Sequence, residues 1–217
     1  MRTRAKICGI TRPQDIQSVV NAGADAIGLV FFEPSPRYVN LEQATQLAKL
    51  IPPYVNIVGL FVNATAPEIK QVLECVPLDI LQFHGDESPE QCQQIANYNK
   101  RRWYKAIQVK PDATSAEIIA TIQQYQDAGA SAMLLDAWHP ELKGGTGHSF
   151  DWSQFPKLEI PLILAGGLNP ENIEDAIKMT HAFAVDVSGG VESAKGMKDQ
   201  QLIERFMQGV HRGSASS

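Results

Sequence analysis

Asn56-Ile57-Val58-Gly59-Leu60-Phe61-Val62, then Thr65-Ala66-Pro67-Glu68, then Ile80-Leu81-Gln82-Phe83, then Ser88-Pro89-Glu90-Gln91: in this one stretch an apolar run is twice followed by a helix start signal. The runs are rich in β-branched and aromatic residues and are continuous rather than alternating, as in strands buried on both faces of a parallel sheet. Thr65 and Ser88 each precede a Glu or Gln by three residues, the spacing of a capping box, and Pro89 suits a first helical position.

The same unit recurs on either side. Apolar runs stand at Ala5–Cys8, Ala26–Phe31, Trp103–Val109, Ala132–Leu135, Pro161–Leu164 and Ala182–Val187, at the roughly 20–30-residue period of alternating strand and helix. Thr114-Ser115-Ala116-Glu117 is a further capping box. Asn40 precedes a helix predicted over Leu41–Leu50, and Asn169-Pro170 one over Glu171–Met179. Asn21-Ala22-Gly23 and Asp127-Ala128-Gly129 are stop signals. Ile118, Ile119, Ile122 and Tyr125 give one apolar helical face. Eight strand–helix units fit either a compact (β/α)8 TIM barrel or an open doubly wound sheet. The count of eight favours one barrel domain over residues 1–210, at the short end for that fold. The small, polar residues 211–217 read as a disordered tail or a cloning remnant outside the fold.

Lys plus Arg is 19 and Asp plus Glu is 24, so the net charge of the 217 residues is −5. That balance gives no electrostatic footprint for nucleic acid or for an anionic membrane surface. No signal peptide or membrane span is read. Cys8, Cys75 and Cys92 are odd in number and far apart, without a C-x-x-C pair, which suits a reduced cytoplasmic compartment. Cys75 and Cys92 fall in predicted helices and read as structural. The oligomeric state stays open, with a monomer favoured.

In a barrel, chemistry gathers where strands end. Strand one ends in Lys6-Ile7-Cys8-Gly9, and alternation places Lys6 and Cys8 on one face. Strand four ends in Gln82-Phe83-His84-Gly85-Asp86-Glu87, strand six in Asp136, and strand eight carries Asp186 and Ser188. Each position has a plainer reading beside the chemical one. A lone Cys is more often packing, a lone His is more often simply hydrogen-bonded, and a strand-end Asp often caps a loop. The glycines say more together. Gly166-Gly167 follows strand seven and opens a helix, and Ser188-Gly189-Gly190 follows strand eight. Backbone N–H groups can approach a phosphate closely there, where barrels often hold one. Gly144-Gly145-Thr146-Gly147 after strand six is a third phosphate contact or a hinge.

In order and spacing these segments resemble the phosphoribosylanthranilate isomerase family of tryptophan biosynthesis. The likeness runs through Lys6-Ile7-Cys8-Gly9-Ile10-Thr11, Ser35-Pro36-Arg37-Tyr38-Val39, Gly59–Asn63, Gln82–Glu87, Leu135-Asp136, Gly144–Gly147, Leu164–Leu168 and Asp186-Val187-Ser188. The resemblance implies an Amadori rearrangement of a phosphoribosyl aminoaldose, without metal or cofactor. It implies Cys8 as general base, Asp136 as general acid, and substrate contacts from Arg37, His84 and Lys6. Gly145, Gly166, Gly167, Ser188, Gly189 and Gly190 are the implied phosphate contacts. One departure is visible: the family has two serines after Asp-Val, and here Gly189 follows Ser188.

A thiol base must reach the thiolate, and cations promote this. Lys6 is the expected promoter, unless Asp186, where strands one and eight meet, neutralises it first. Five other readings compete. They are the histidine-pathway aminoaldose isomerase, indole-glycerol-phosphate synthase, a metal-dependent epimerase, a Schiff-base aldolase using Lys105, and a phosphate-ligand binding module.

Overall fold

The computed structural model describes residues 2–110, 112–137 and 152–215. Eight parallel strands close into a barrel in chain order: β1 (Arg4–Cys8), β2 (Ala26–Val30), β3 (Asn56–Phe61), β4 (Ile80–Phe83), β5 (Arg102–Val109), β6 (Ala132–Ala137), β7 (Leu162–Leu164) and β8 (Ala184–Val187). The continuous apolar runs mark these strands because both faces are covered. Ile7, Ile27, Leu29, Ile57, Leu81 and Leu135 belong to the large outer core, under the helices. Val58, Tyr104, Ala106, Leu134, Ile163 and Ala184 fill the barrel interior.

The helices are α1 (Pro13–Asn21), α2 (Leu41–Ala48), α3 (Ala66–Cys75), α4 (Pro89–Asn99), α5 (Ser115–Asp127), α6 (Ile173–Thr180) and α7 (Gln200–Ala215). All three expected capping boxes form, at Thr65, Ser88 and Thr114. Gly23 and Gly129 follow α1 and α5 at φ +81° and +97°, the left-handed region that a helix stop uses. A two-stranded antiparallel hairpin, β9 (Glu192–Ala194) and β10 (Met197–Lys198), follows β8.

Among the described residues, one turn of 3-10 helix at Trp152–Gln154 stands between β6 and β7, and the sixth strand–helix connection otherwise falls on residues 138–151, outside the described residues. Two expectations change. The helix after strand seven begins at Ile173. Asn169 instead closes an Asx turn, its side-chain oxygen accepting from the Glu171 and Asn172 amides at 2.9 and 3.1 Å. Residues 211–215 are not a tail, because α7 continues through Ala215. Gly209 and Gly213 let it lie directly on α6: added Cβ atoms would stand 2.5 Å from Ile173 Cγ2 and 2.9 Å from Ile177 Cβ. Ser214 Oγ then accepts from the Thr3 amide at 3.1 Å.

Candidate active site

Strand register decides which polar groups meet. Lys6 and Asp186 are direct partners across β1 and β8, and on the interior face their side chains touch, Nζ to Oδ2 at 2.8 Å. Burial opposes the Lys6 ammonium, but Asp186 first, then Cys8 and Tyr104, more than offset it and raise its pKa. Cys8 lies one alternation further along β1, in an interior cluster with Val30 and Leu60 at the C-terminal mouth. Gly28 is its β2 partner, and a Cβ there would come 2.7 Å from Cys8 Sγ. Only glycine leaves that space.

Burial pushes the Cys8 thiol above its ordinary value; Lys6 and Lys198 pull it down, and Asp186 pushes it back up. Lys6 does draw the thiol toward the thiolate, but Asp186 matches its charge at 2.8 Å, so the expectation that Lys6 alone readies Cys8 is corrected in favour of the neutralising partner.

Across the mouth, Gln82 and Tyr104 are register partners on β4 and β5. The Tyr104 hydroxyl donates to Gln82 Oε1 at 2.8 Å, and Gln82 Nε2 stands 3.0 Å from His84 Nδ1. His84 Nε2 faces Asp136 Oδ2 at 3.5 Å, too far for a good hydrogen bond. That nitrogen and Asp186 Oδ1 are buried without a hydrogen-bond partner among the described residues. Buried polar atoms rarely stay unpaired, so a site with two of them facing the interior is built for a polar guest. A cavity of about 260 Å³ opens beside His84, lined also by Asp86, Lys105, Ala106, Gln108 and Tyr125.

Arg37 enters from the segment after β2 and lies over Gly9, where a Cβ would come 2.4 Å from Arg37 Cδ. Its Nε and Nη2 donate to the two oxygens of Glu192 at 2.8 and 2.7 Å. Glu192 also accepts from Lys198 Nζ at 2.7 Å, and Lys198 reaches the Ser188 carbonyl at 3.1 Å. Ser188 Oγ donates to the Cys8 carbonyl at 3.0 Å, so this hydroxyl is tied to β1. The loops after β7 and β8 touch: a Cβ on Gly190 would fall 1.9 Å from the Leu168 carbonyl oxygen. Gly166 and Gly167 sit at φ +84° and +66° in the same corner. Gly145 lies outside the described residues.

The structure thus brings Lys6, Cys8, His84, Asp136, Asp186 and Ser188 to one mouth, with Arg37 at its rim. Lys105 is not among them. It alternates with the inward Tyr104 and Ala106, points into the helical layer, and pairs with Glu87 at 2.8 Å. Lys105 lines the cavity beside His84, but its ammonium is held in a buried ion pair with Glu87. Sequence reasoning missed Tyr104, Gln82, Glu192 and Lys198. The first two were findable by extending alternation inward from His84 and Ala106. The last two stand beyond the eighth strand, where a strand-end rule does not look.

A closed parallel barrel with a thiol, carboxylates, an imidazole and paired cations gathered at its C-terminal mouth is the arrangement of a (β/α)8-barrel enzyme. Among the described residues no helix is long and apolar enough to cross a membrane. The chain belongs to the N-(5'-phosphoribosyl)anthranilate isomerase family, whose sequence profile matches residues 5–209. It is 74% identical over 215 residues to the isomerase of that name from Acinetobacter calcoaceticus, covering 99% of this chain and 100% of that one. It is 49% identical to the one from Nitrosococcus oceani, covering 97% and 98%. The crystal structure of phosphoribosyl anthranilate isomerase from Thermotoga maritima superimposes with a TM-score of 0.83 at 38% identity, over 96% of this chain and 98% of that one. A related structure holds reduced 1-(o-carboxyphenylamino)-1-deoxyribulose 5-phosphate, with a TM-score of 0.80 at 36% identity and the same coverage.

Proposed function

We infer that this protein catalyses the Amadori rearrangement of N-(5'-phosphoribosyl)anthranilate to 1-(o-carboxyphenylamino)-1-deoxyribulose 5-phosphate, a step of tryptophan biosynthesis. The observation that carries the reading is the placement of a buried thiol and a carboxylic acid on strands one and six of the same barrel interior. Asp136 gives a proton to the ribose ring oxygen as the C1–O bond breaks, and the anthranilate nitrogen's lone pair forms the iminium at C1. Cys8, as thiolate, removes the C2 proton, and that electron pair neutralises the iminium to leave an enolamine. Tautomerisation moves a proton to C1 and leaves the ketone at C2.

The remaining roles belong to the same reading. Arg37 holds the anthranilate carboxylate with the guanidinium edge that Glu192 leaves open. His84 Nε2 and the Lys6–Asp186 pair face the sugar. Gly166, Gly167, Gly189 and Gly190, with Ser188 fixing their loop, offer backbone donors to the 5'-phosphate. The same reading places the protein in the cytoplasm, where its three free cysteines stay reduced.

The test is loss of anthranilate-type fluorescence when the protein is added to freshly made phosphoribosylanthranilate. Rapid catalytic loss supports the reading. Saturable binding without turnover overturns it in favour of a binding module, and turnover of the histidine-pathway aminoaldose alone overturns it in favour of that isomerase.

A further inference from the structure

Tyr104, Gln82 and His84 form a row of hydrogen-bonded side chains on neighbouring strands, with the buried Lys6–Asp186 pair in the same barrel interior. The Tyr104 hydroxyl donates to the Gln82 amide oxygen, 2.8 Å away. The Gln82 amide nitrogen is then the atom facing His84 Nδ1 at 3.0 Å. An amide nitrogen only donates, so Nδ1 accepts, and the neutral ring carries its proton on Nε2.

At the outer end Nε2 faces Asp136 Oδ2 at 3.5 Å, so a proton on Nε2 points toward that carboxyl group. The reversed arrangement would turn the Gln82 amide over, setting its nitrogen against the Tyr104 hydroxyl and its oxygen against Nδ1.

We propose that Tyr104 and Gln82 are positioning residues that hold His84 in its Nε2–H tautomer, presenting that N–H to the barrel mouth beside Asp136. The side chain of His84 is 9% exposed and its Nε2 is unpartnered among the described residues, so the donor is desolvated and aimed before substrate arrives. Preorganised donors of this kind need no reorganisation as charge develops. The proposal rests on the isomerase reading for what the donor serves, the oxygen-bearing sugar next to the acid, but not for the tautomer itself.

The experiment is a long-range 15N–1H NMR spectrum of the whole protein labelled at histidine, with His84→Asn used to assign the His84 signals. The expected result is a protonated Nε2 and a bare Nδ1. Gln82→Glu replaces the donor by an acceptor of the same shape, and the proton should move to Nδ1. Gln82→Met removes the donor without burying a charge, and both tautomers should appear. Tyr104→Phe should mix the tautomers too and lower kcat about tenfold with KM within about twofold, as loss of an outer orienting partner does. A wild-type ring protonated on Nδ1, or a proton that stays on Nε2 in both Gln82 variants, overturns the proposal. The tautomer is read without turnover. An inactive wild type with the expected spectrum would therefore sink the isomerase reading and leave the positioning chain standing.

Discussion

Lys6 Nζ and Asp186 Oδ2 stand 2.8 Å apart with side chains only 6% and 8% exposed, so the cation beside the thiol of Cys8 is already neutralised by an anion. Removing either partner has opposite effects on the thiol. Asp186→Asn takes away an anion and leaves Lys6 uncompensated, so Cys8 should titrate lower and react faster with iodoacetamide at pH 7.5. Lys6→Met should make it react more slowly. Equal rates in the three proteins would refute this electrostatic account. Breaking a buried pair also destabilises, by about 3–5 kcal/mol, so the rates are compared well below each melting temperature.

Stability should carry the same signature. The folded protein binds the Cys8 proton more tightly than the unfolded chain, whose thiol has its ordinary value. That contribution is fully present below this value and is lost as pH rises through the folded value. Urea unfolding of wild type and Cys8→Ala between pH 8 and pH 10 should show wild type losing its advantage at the alkaline end. Parallel curves would contradict the raised thiol.

Glu192 takes two of the guanidinium nitrogens of Arg37 and shares its carboxylate with Lys198. Glu192→Gln should leave Arg37 without its fork partner and raise KM for phosphoribosylanthranilate about tenfold, with kcat changed less than about threefold. Inhibition by inorganic phosphate should weaken as well, because Lys198 ties Glu192 to Ser188 in the loop after β8. Steady-state kinetics check both, and an unchanged KM would remove Glu192 from substrate recognition.

Much of this was legible because local and global signals agree. Thr65, Ser88 and Thr114 start helices as their capping boxes predict, and alternation along β1 correctly pairs Lys6 with Cys8 on the interior. What stayed illegible depends on contacts distant in sequence. No local pattern says that Lys105, one residue from Tyr104, finds Glu87 outside the barrel. Nothing in the composition of residues 211–215 says that Gly213 is a packing surface rather than a helix breaker. The Arg37–Glu192 fork joins residues 155 positions apart in the sequence.

Two structural predictions test those late findings. Truncation after Val210 should lower stability by about 1–3 kcal/mol in urea unfolding, since it removes Gly213 from α6 and Ser214 from the Thr3 amide. A free tail would give no change. Gly190→Ala should cost about 1–3 kcal/mol, or open the loop corner and weaken phosphate inhibition, because its Cβ meets backbone that cannot step aside. An alanine variant with wild-type melting and inhibition would show that the two loops need no such approach.

The central claim is a division of labour between the thiol and the carboxylic acid. Its most direct test is single-turnover and steady-state consumption of phosphoribosylanthranilate by wild type, Cys8→Ser and Asp136→Asn, each shown by circular dichroism to be folded. The account predicts rapid turnover by wild type and a loss of kcat of at least about a hundredfold in each variant, the usual contribution of a positioned acid or base. Near-wild-type turnover by either folded variant would contradict it and move that proton to another group, with His84 and Asp86 tested next.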